Sequence, residues 1–264
     1  MDIFQKGTCA GTMIRQMQSG GLHASISRYA SDRFNHAWHY HSDCRLSFIL
    51  HGGCAERKRG RYERMPGSVT VYRPGEPHRV EQMRDAVQVN LEIQNDFLER
   101  YSLSATLDWS MDRTADVQFL FLQLYKELIA QDSLTASSLD MLLLGFLQPP
   151  ARVKKTASRP PWVGLVQQLM QDRWNESLSL RILSEETGIH PVTISSYFPR
   201  YFACTFGEYQ RKLKVSHALQ LVRATDQSLT SIAYECGFSD QSHFIHTFKN
   251  LTGFLPGEYR KLVG

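Results

Sequence analysis

No stretch of this chain approaches the roughly 20 consecutive apolar residues of a membrane span, and its densest run, Met141 to Leu147, is short and holds a glycine. The opening residues, MDIFQKGTCAGTMIRQ, lack the apolar centre of a secretion signal. Both absences point to a cytoplasmic protein. Cysteine is scarce: there are 5, at positions 9, 44, 54, 204 and 236, and none forms a C-x-x-C pair. That odd number and spacing argue against a disulfide framework or a zinc knuckle and make each cysteine a small buried hydrophobe. A strong net charge is also missing, since 30 Lys+Arg against 26 Asp+Glu leave +4.

What is present is enough apolar material for real cores. At 264 residues and 42% hydrophobic content, the chain supports one large or two ordinary domains. The charge is unevenly spread. Residues 1–150 carry 16 Lys+Arg against 17 Asp+Glu, whereas residues 151–264 carry 14 against 9. A basic C-terminal part is compatible with a polyanion partner and equally with an ordinary solvated surface.

The division falls at QPPARVKKTASRPP, Gln148 to Pro161, where two proline pairs and basic residues replace apolar periodicity. Proline stiffens such a segment and biases its predecessor away from helix, which makes residues 148–161 a linker between domains 1–147 and 162–264. Upstream, Gly20 to Ile93 alternates apolar and other residues between turns, as in Leu46, Phe48 and Leu50 or Val87, Val89, Leu91 and Ile93. Many short strands of this kind favour a small barrel or sandwich. The period then becomes helical, with Val117, Leu120, Phe121, Leu124, Tyr125 and Leu128, and again with Leu139, Leu142, Leu143 and Phe146. Two amphipathic helices therefore close the first domain, covering the sheet or pairing with their copy in a dimer.

Downstream of the linker the pattern is helical throughout, and one layout occurs twice. SLSLRILSEETGIHPVTISSYF, from Ser177, lines up with DQSLTSIAYECGFSDQSHFIHTF, from Asp226. In each, Ser179 or Thr230 caps a short helix, Gly188 or Gly237 supplies a left-handed turn, and a second helix starts at Pro191 or after Ser239. Helix, glycine turn, helix is the arrangement that lays its second helix into the DNA major groove. Phe244 and Phe248 anchor the later helix, which leaves Gln241, Ser242, His243, His246 and Lys249 to meet base edges or phosphates. In the first copy Thr193, Ser195 and Ser196 hold the corresponding places and Arg200 suits a phosphate. Pro199, late in that helix, is expected to end or kink it.

SLTSIAYECGFSDQSHFIHTFKNLTGFLPGEYRK, Ser228 to Lys261, resembles the signature of the AraC/XylS family of bacterial transcription regulators, through Ile232-Ala233, Gly237-Phe238, Phe244, Phe248-Lys249, Gly253, Pro256 and Tyr259-Arg260. The likeness covers about residues 162–262. It implies an all-α domain with two helix-turn-helix motifs joined by a long helix, here about Phe206 to Arg223, which inserts its reading helices into successive major-groove segments. It also implies promoter DNA and RNA polymerase as partners and activation as the usual effect. The first motif departs from the family at His190, Ser196, Pro199 and Ala203, the last in a place usually held by glycine.

HYHSDCRLSFILHGG followed by RMPGSVTVYRPGEPHRV is similar to the cupin-like sensor half of many such regulators, over about residues 20–95. The fold class expected is therefore α+β in two domains, a cupin-like β-barrel with two helices followed by the helical domain. The resemblance implies a small-molecule effector lined by Trp38, His39, His41, Arg45, Tyr72 and His78, with Arg45 pairing an anion and a homodimer formed through residues 115–147. It also leaves a three-histidine metal centre open. The acidic ligand expected shortly after His41 in metal-binding cupins is replaced by Arg45 and Leu46, so the expectation is a site without metal or other cofactor. A metal-dependent cupin enzyme with a helical appendage is the rival from another class.

Overall fold

The structure is a computed structural model that describes residues 2–4, 11–30, 37–103, 114–147 and 160–264. The chain divides into two compact units, Met1–Leu147 and Gln148–Gly264. Most of the expected linker, residues 148–159, lies outside the described residues. No described helix is long and apolar enough to cross a membrane.

The first unit opens with strands β1 (Asp2–Phe4), β2 (Thr12–Ser19), β3 (Leu22–Tyr29), β4 (His39–His41), β5 (Cys44–Arg57), β6 (Arg61–Arg64), β7 (Val69–Tyr72) and β8 (Arg79–Ile93). Helices α1 (Asn95–Arg100), α2 (Thr114–Ala130) and α3 (Thr135–Leu147) follow. Six strands form one antiparallel sheet, in which β2, β3, β8, β5 and β6 are ordered side by side and β7 adds to β5. β1 pairs in parallel with β4 as a separate ribbon. Among the described residues no pairing joins β2 to β6, so the β-rich expectation is met by an antiparallel sheet with open ends.

Cross-strand rungs explain the architecture. Ala24, Leu91, Leu46 and Val71 share one rung, and Ile26, Val89, Phe48 and Val69 the next but one. This apolar face takes α2, with Phe48 stacked on Phe121 at 5.5 Å, and α2 carries α3. Val117, Leu120, Phe121, Leu124 and Leu128 are buried there as their helical spacing predicts. The alternate rungs are polar: His23, Glu92, Arg45 and Tyr72, then Ser25, Asn90, Ser47 and Thr70. In an antiparallel sheet the polar face ordinarily meets water. Here it is buried too, Thr70 being partly covered and the other seven fully enclosed. The long strands β5 and β8 shift register around His51 and Gly53, where Gly52 adopts φ +72°. A Cβ at Gly52 would collide with the Arg84 and Asp85 carbonyl oxygens.

The second unit is helical: α4 (Pro161–Asp172), α5 (Leu180–Thr187), α6 (Pro191–Phe202), α7 (Phe206–Ala224), α8 (Leu229–Glu235), α9 (Gln241–Thr252) and α10 (Pro256–Val263). Val166, Met170, Leu178, Leu183, Ile194 and Phe198 form the core of the first half. Phe238, Phe244, Phe248 and Tyr259 make a chain of ring contacts in the second, at 5.3, 5.6 and 5.8 Å. Helix α7 packs against α6 on one side and α8, α9 and α10 on the other, so both halves share one rod.

Three details differ from the sequence expectation. Ser228, not Thr230, caps α8, and Asp240, not Ser239, caps α9 by accepting the His243 amide at 2.8 Å. Pro199 does not end α6, which continues to Phe202. A proline in the last turn of a short helix loses only one amide bond, and Phe198 beside it is buried. The cysteines are divided: Cys54 and Cys236 are buried, Cys44 and Cys204 only partly, and no disulfide joins these four; Cys9 lies outside the described residues.

Gly188 and Gly237 both take left-handed backbone, φ +69° and +71°, but their surroundings differ. A Cβ on Gly188 meets nothing within 4 Å, whereas one on Gly237 would strike the Asn175 carbonyl and lie 3.1 Å from Lys214 Nζ. Gly188→Ala is expected to cost about 1–2 kcal/mol, the left-handed penalty alone, and Gly237→Ala or Gly237→Val measurably more. Ala203 ends α6 at φ +59°, so Ala203→Gly is expected to stabilise by about 0.5–1 kcal/mol after glycine's unfolded-state entropy is subtracted. Urea unfolding of the full chain checks all three, and equal costs at Gly188 and Gly237 would contradict the packing argument.

Candidate functional site

Each helix-turn-helix presents its second helix with a defined entry. In the first, α5 ends at Gly188 and His190 Nδ1 accepts the Val192 amide at 3.3 Å before Pro191 begins α6. In the second, Phe238 N–H reaches back to the Ala233 carbonyl at 2.9 Å across Gly237, and Asp240 then starts α9. The His243 amide holds the Asp240 carboxyl below its ordinary range, which keeps the cap charged.

On α6, Ser195 and Ser196 are exposed while Thr193 and Arg200 are half-buried, with the Arg200 guanidinium 5.8 Å from the Tyr201 ring centre. On α9, Ser242, His243, His246 and Lys249 are exposed. Gln241 is less free than its position suggests, because its Oε1 accepts the Thr230 hydroxyl at 2.8 Å and it is half-buried. That bond ties α9 to α8 and fixes the amide's orientation. Asn250 donates to His246 Nδ1 at 3.2 Å, which leaves the ring proton on Nε2 as an outward donor.

Residues that pattern reading passed over join this surface. Val192 and Tyr197 are 63% and 45% exposed on α6. A cleft of about 540 Å³ runs from the end of α6 to α9, with Arg211 and Lys212 of α7 facing His243, His246 and Asn250. The only available signal for Arg211 and Lys212 was membership of the connecting helix, which sequence alone treats as scaffold.

In the first unit the buried polar face is the candidate effector site. His39 and His41 stand on one side of β4, and His78 is clamped to His39 by two backbone bonds of 2.9 Å. The three imidazoles lie with ring centres 4.2 to 5.7 Å apart, and Tyr72 packs 4.2 Å from His78. Burial, with Arg45 and the neighbouring imidazoles, pushes His41 down to about 2; burial and His39 push His78 down to about 3. Both rings are neutral at physiological pH. Trp38 is half-buried, with the Arg79 guanidinium 5.3 Å from its ring.

Arg45, expected to pair an anion, has a partner within the chain. It is buried and bonded to Glu92 Oε1 at 2.9 Å, so its charge is already matched by its cross-strand neighbour. Sequence reading missed Arg64 and Glu56. Arg64 donates to the Tyr72 hydroxyl at 2.8 Å and to the Ser47 carbonyl at 2.9 Å, and the Tyr72 hydroxyl donates to Glu56 at 3.1 Å. Burial raises the Glu56 carboxyl and the Tyr72 phenol above their ordinary values. Glu56 Oε1, Arg64 Nε and both amide atoms of Asn90 are buried without a hydrogen-bond partner among the described residues. Unmet donors and acceptors of this kind suit a polar ligand.

Two family models match this chain: an AraC-like ligand binding domain over residues 20–147 and a helix-turn-helix domain over residues 183–262. The chain belongs to the AraC family of regulators. Among relatives of this AraC-family chain, the HTH-type transcriptional activator RhaS of Enterobacter sp. (strain 638) is 26% identical over 46% of this chain and 44% of its own length. The melibiose operon regulatory protein of Escherichia coli (strain K12) is 28% identical over 34% of this chain and 30% of its own. The chain thus matches less than half the length of these relatives. An AraC-type DNA-binding domain from Chromobacterium violaceum is 28% identical, covering 38% of this chain and 90% of that one, with a TM-score of 0.37. Membership in a DNA-binding regulator family points away from the cupin-enzyme alternative.

Glu92→Ala would strand the Arg45 charge on a buried face. The expected loss is about 3–5 kcal/mol, read by thermal or urea unfolding of the full chain; a loss below 1 kcal/mol would show that water reaches Arg45.

Proposed function

We propose that this chain is an effector-responsive, sequence-specific DNA-binding transcription regulator, acting in the cytoplasm as an activator that engages promoter DNA and RNA polymerase. The observation that carries this reading is the pair of glycine-hinged helix pairs on one connecting rod, each presenting a polar, exposed second helix. Thr193, Ser195, Ser196, Gln241, Ser242, His243 and His246 read base edges, and Arg200 and Lys249 contact phosphates. Residues 1–147 are the sensor, 148–161 the linker and 162–264 the DNA-binding domain. The sensor takes a small molecule among Trp38, His39, His41, Tyr72 and His78, with Arg64, Glu56 and Asn90 joining them and Arg45 acting through Glu92. A homodimer through residues 115–147 is supported by the exposed apolar side chains of Ile129, Leu134 and Met141 on the α2–α3 hairpin. No catalytic role is assigned.

A gel-shift assay on the DNA upstream of the protein's own coding sequence tests the reading. Gln241→Ala and His246→Ala are each expected to weaken specific binding by about 1–3 kcal/mol, and Lys249→Ala to weaken all DNA alike and lower the salt slope by about 1. Unchanged discrimination between upstream and random DNA in the first two variants would refute their assignment. Absence of salt-sensitive DNA binding in the parent chain would refute the regulator itself.

A further inference from the structure

We propose that His39, His41 and His78 bind one divalent first-row transition metal ion, with a remaining coordination position left for water or for an anionic group of a small molecule. Among the described residues these three are the one group of His, Cys, Asp or Glu whose candidate ligand atoms converge, all lying within 4.8 Å of one another. Tetrahedral binding at about 2.0–2.1 Å places ligand nitrogens ~3.3 Å apart, so the rings need to close by at most ~1.5 Å.

The backbone holds the three in place independently of any ion. His39 and His41 alternate along β4, and the paired bonds between His39 and His78 fix the third ring opposite them. Two of the rings also have their tautomer set. His39 Nδ1 lies 3.1 Å from the Ala37 carbonyl and His78 Nδ1 lies 3.3 Å from the Glu76 carbonyl. A carbonyl oxygen only accepts, so each Nδ1 carries the proton and each Nε2 carries the lone pair. This is the outer support that metal-binding histidines usually have. Ring packing of His78 on Tyr72 would not by itself require it.

Charge and chemistry then select the ion. The cations nearest the cluster are already matched, Arg45 by Glu92 and Lys58 by Glu76 at 3.3 Å, which limits repulsion of a dication. Three neutral imidazoles and no carboxylate suit zinc, copper, nickel or ferrous iron and disfavour magnesium and calcium. A dication held by neutral ligands on a buried face keeps its positive charge, which favours an anionic fourth partner. Arg45 in the place of a carboxylate therefore changes the charge of the site and leaves its three-nitrogen floor intact.

This site goes beyond the regulator reading, and its test involves no DNA, so either can fail alone. The full chain, stripped with a chelator, is titrated with Zn²⁺ against a chromophoric competitor and with Co²⁺ for its visible spectrum. The expected result is one equivalent per chain, with Co²⁺ bands of four- or five-coordinate intensity. His41→Gln and His78→Gln are each expected to weaken Zn²⁺ binding by more than the ~100-fold that loss of an outer-shell partner brings, while His51→Ala, at an exposed position on β5, leaves it unchanged. No saturable single equivalent in the parent chain overturns the proposal, and so does binding that survives either glutamine variant in a chain of unaltered circular dichroism.

Discussion

The second reading helix owes its placement to one crowded turn. At Gly237 the backbone is left-handed, its Cα faces the Asn175 carbonyl, and its own carbonyl accepts Lys214 Nζ at 2.6 Å. Asn175 belongs to the segment between α4 and α5, and Lys214 to α7. The turn of the second motif is therefore bolted to the first half of the domain and to the rod between the halves. Burial lowers the Lys214 pKa, as expected for an ammonium that gives up water to serve a single carbonyl. A rigid relation between α6 and α9 follows from these contacts, and two reading helices are useful together only when their separation is fixed.

The first unit solves a different problem. A sheet buried on one face needs only one apolar surface, yet this one encloses its polar face as well. Buried polar groups are costly unless paired. Arg45 with its cross-strand neighbour Glu92, Ser47 with Gln88, and Arg64 with Tyr72 and Glu56 meet part of that demand. Of the groups still unmatched, on Asn90, Glu56 and Arg64, the last two are on residues bonded to the Tyr72 hydroxyl, whose ring packs against His41 and His78. A purely structural sheet gains nothing from such an interior, whereas a polar ligand bound there would meet those unpaired groups.

Much of this was legible in the residues. The change of period from two to 3.6 marked α2 and α3, and glycine, proline and phenylalanine spacing marked both helix-turn-helix motifs nearly to their ends. Caps were harder, since Ser228 and Thr230, or Ser239 and Asp240, are chemically equivalent candidates and only geometry chooses between them. Pro199 left both a stop and a kink open, and the helix runs through it to Phe202. The polar rungs were seen as alternation, but alternation cannot tell a face turned to water from one turned inward. The bond from Arg45 to Glu92, 47 residues away in sequence, had no local sign, because only register brings the two opposite one another. Arg64 and Glu56 gave no local sign, and the three histidines were visible as a set, although not the tautomer that His39 and His78 share.

The two halves thus use one device in different settings: backbone geometry fixes polar side chains before any partner arrives. In the first unit the narrow bridge between His39 and His78 does this, and in the second the glycine turns and the α7 rod do. The most direct measurement of the central claim is footprinting of the full chain on its upstream DNA. Two protected major-groove segments on one face of the duplex, about one helical turn (~10–10.5 base pairs) apart, are what two rigidly coupled reading helices produce. A single protected segment per chain, or two whose spacing varies freely from site to site, would contradict the coupling.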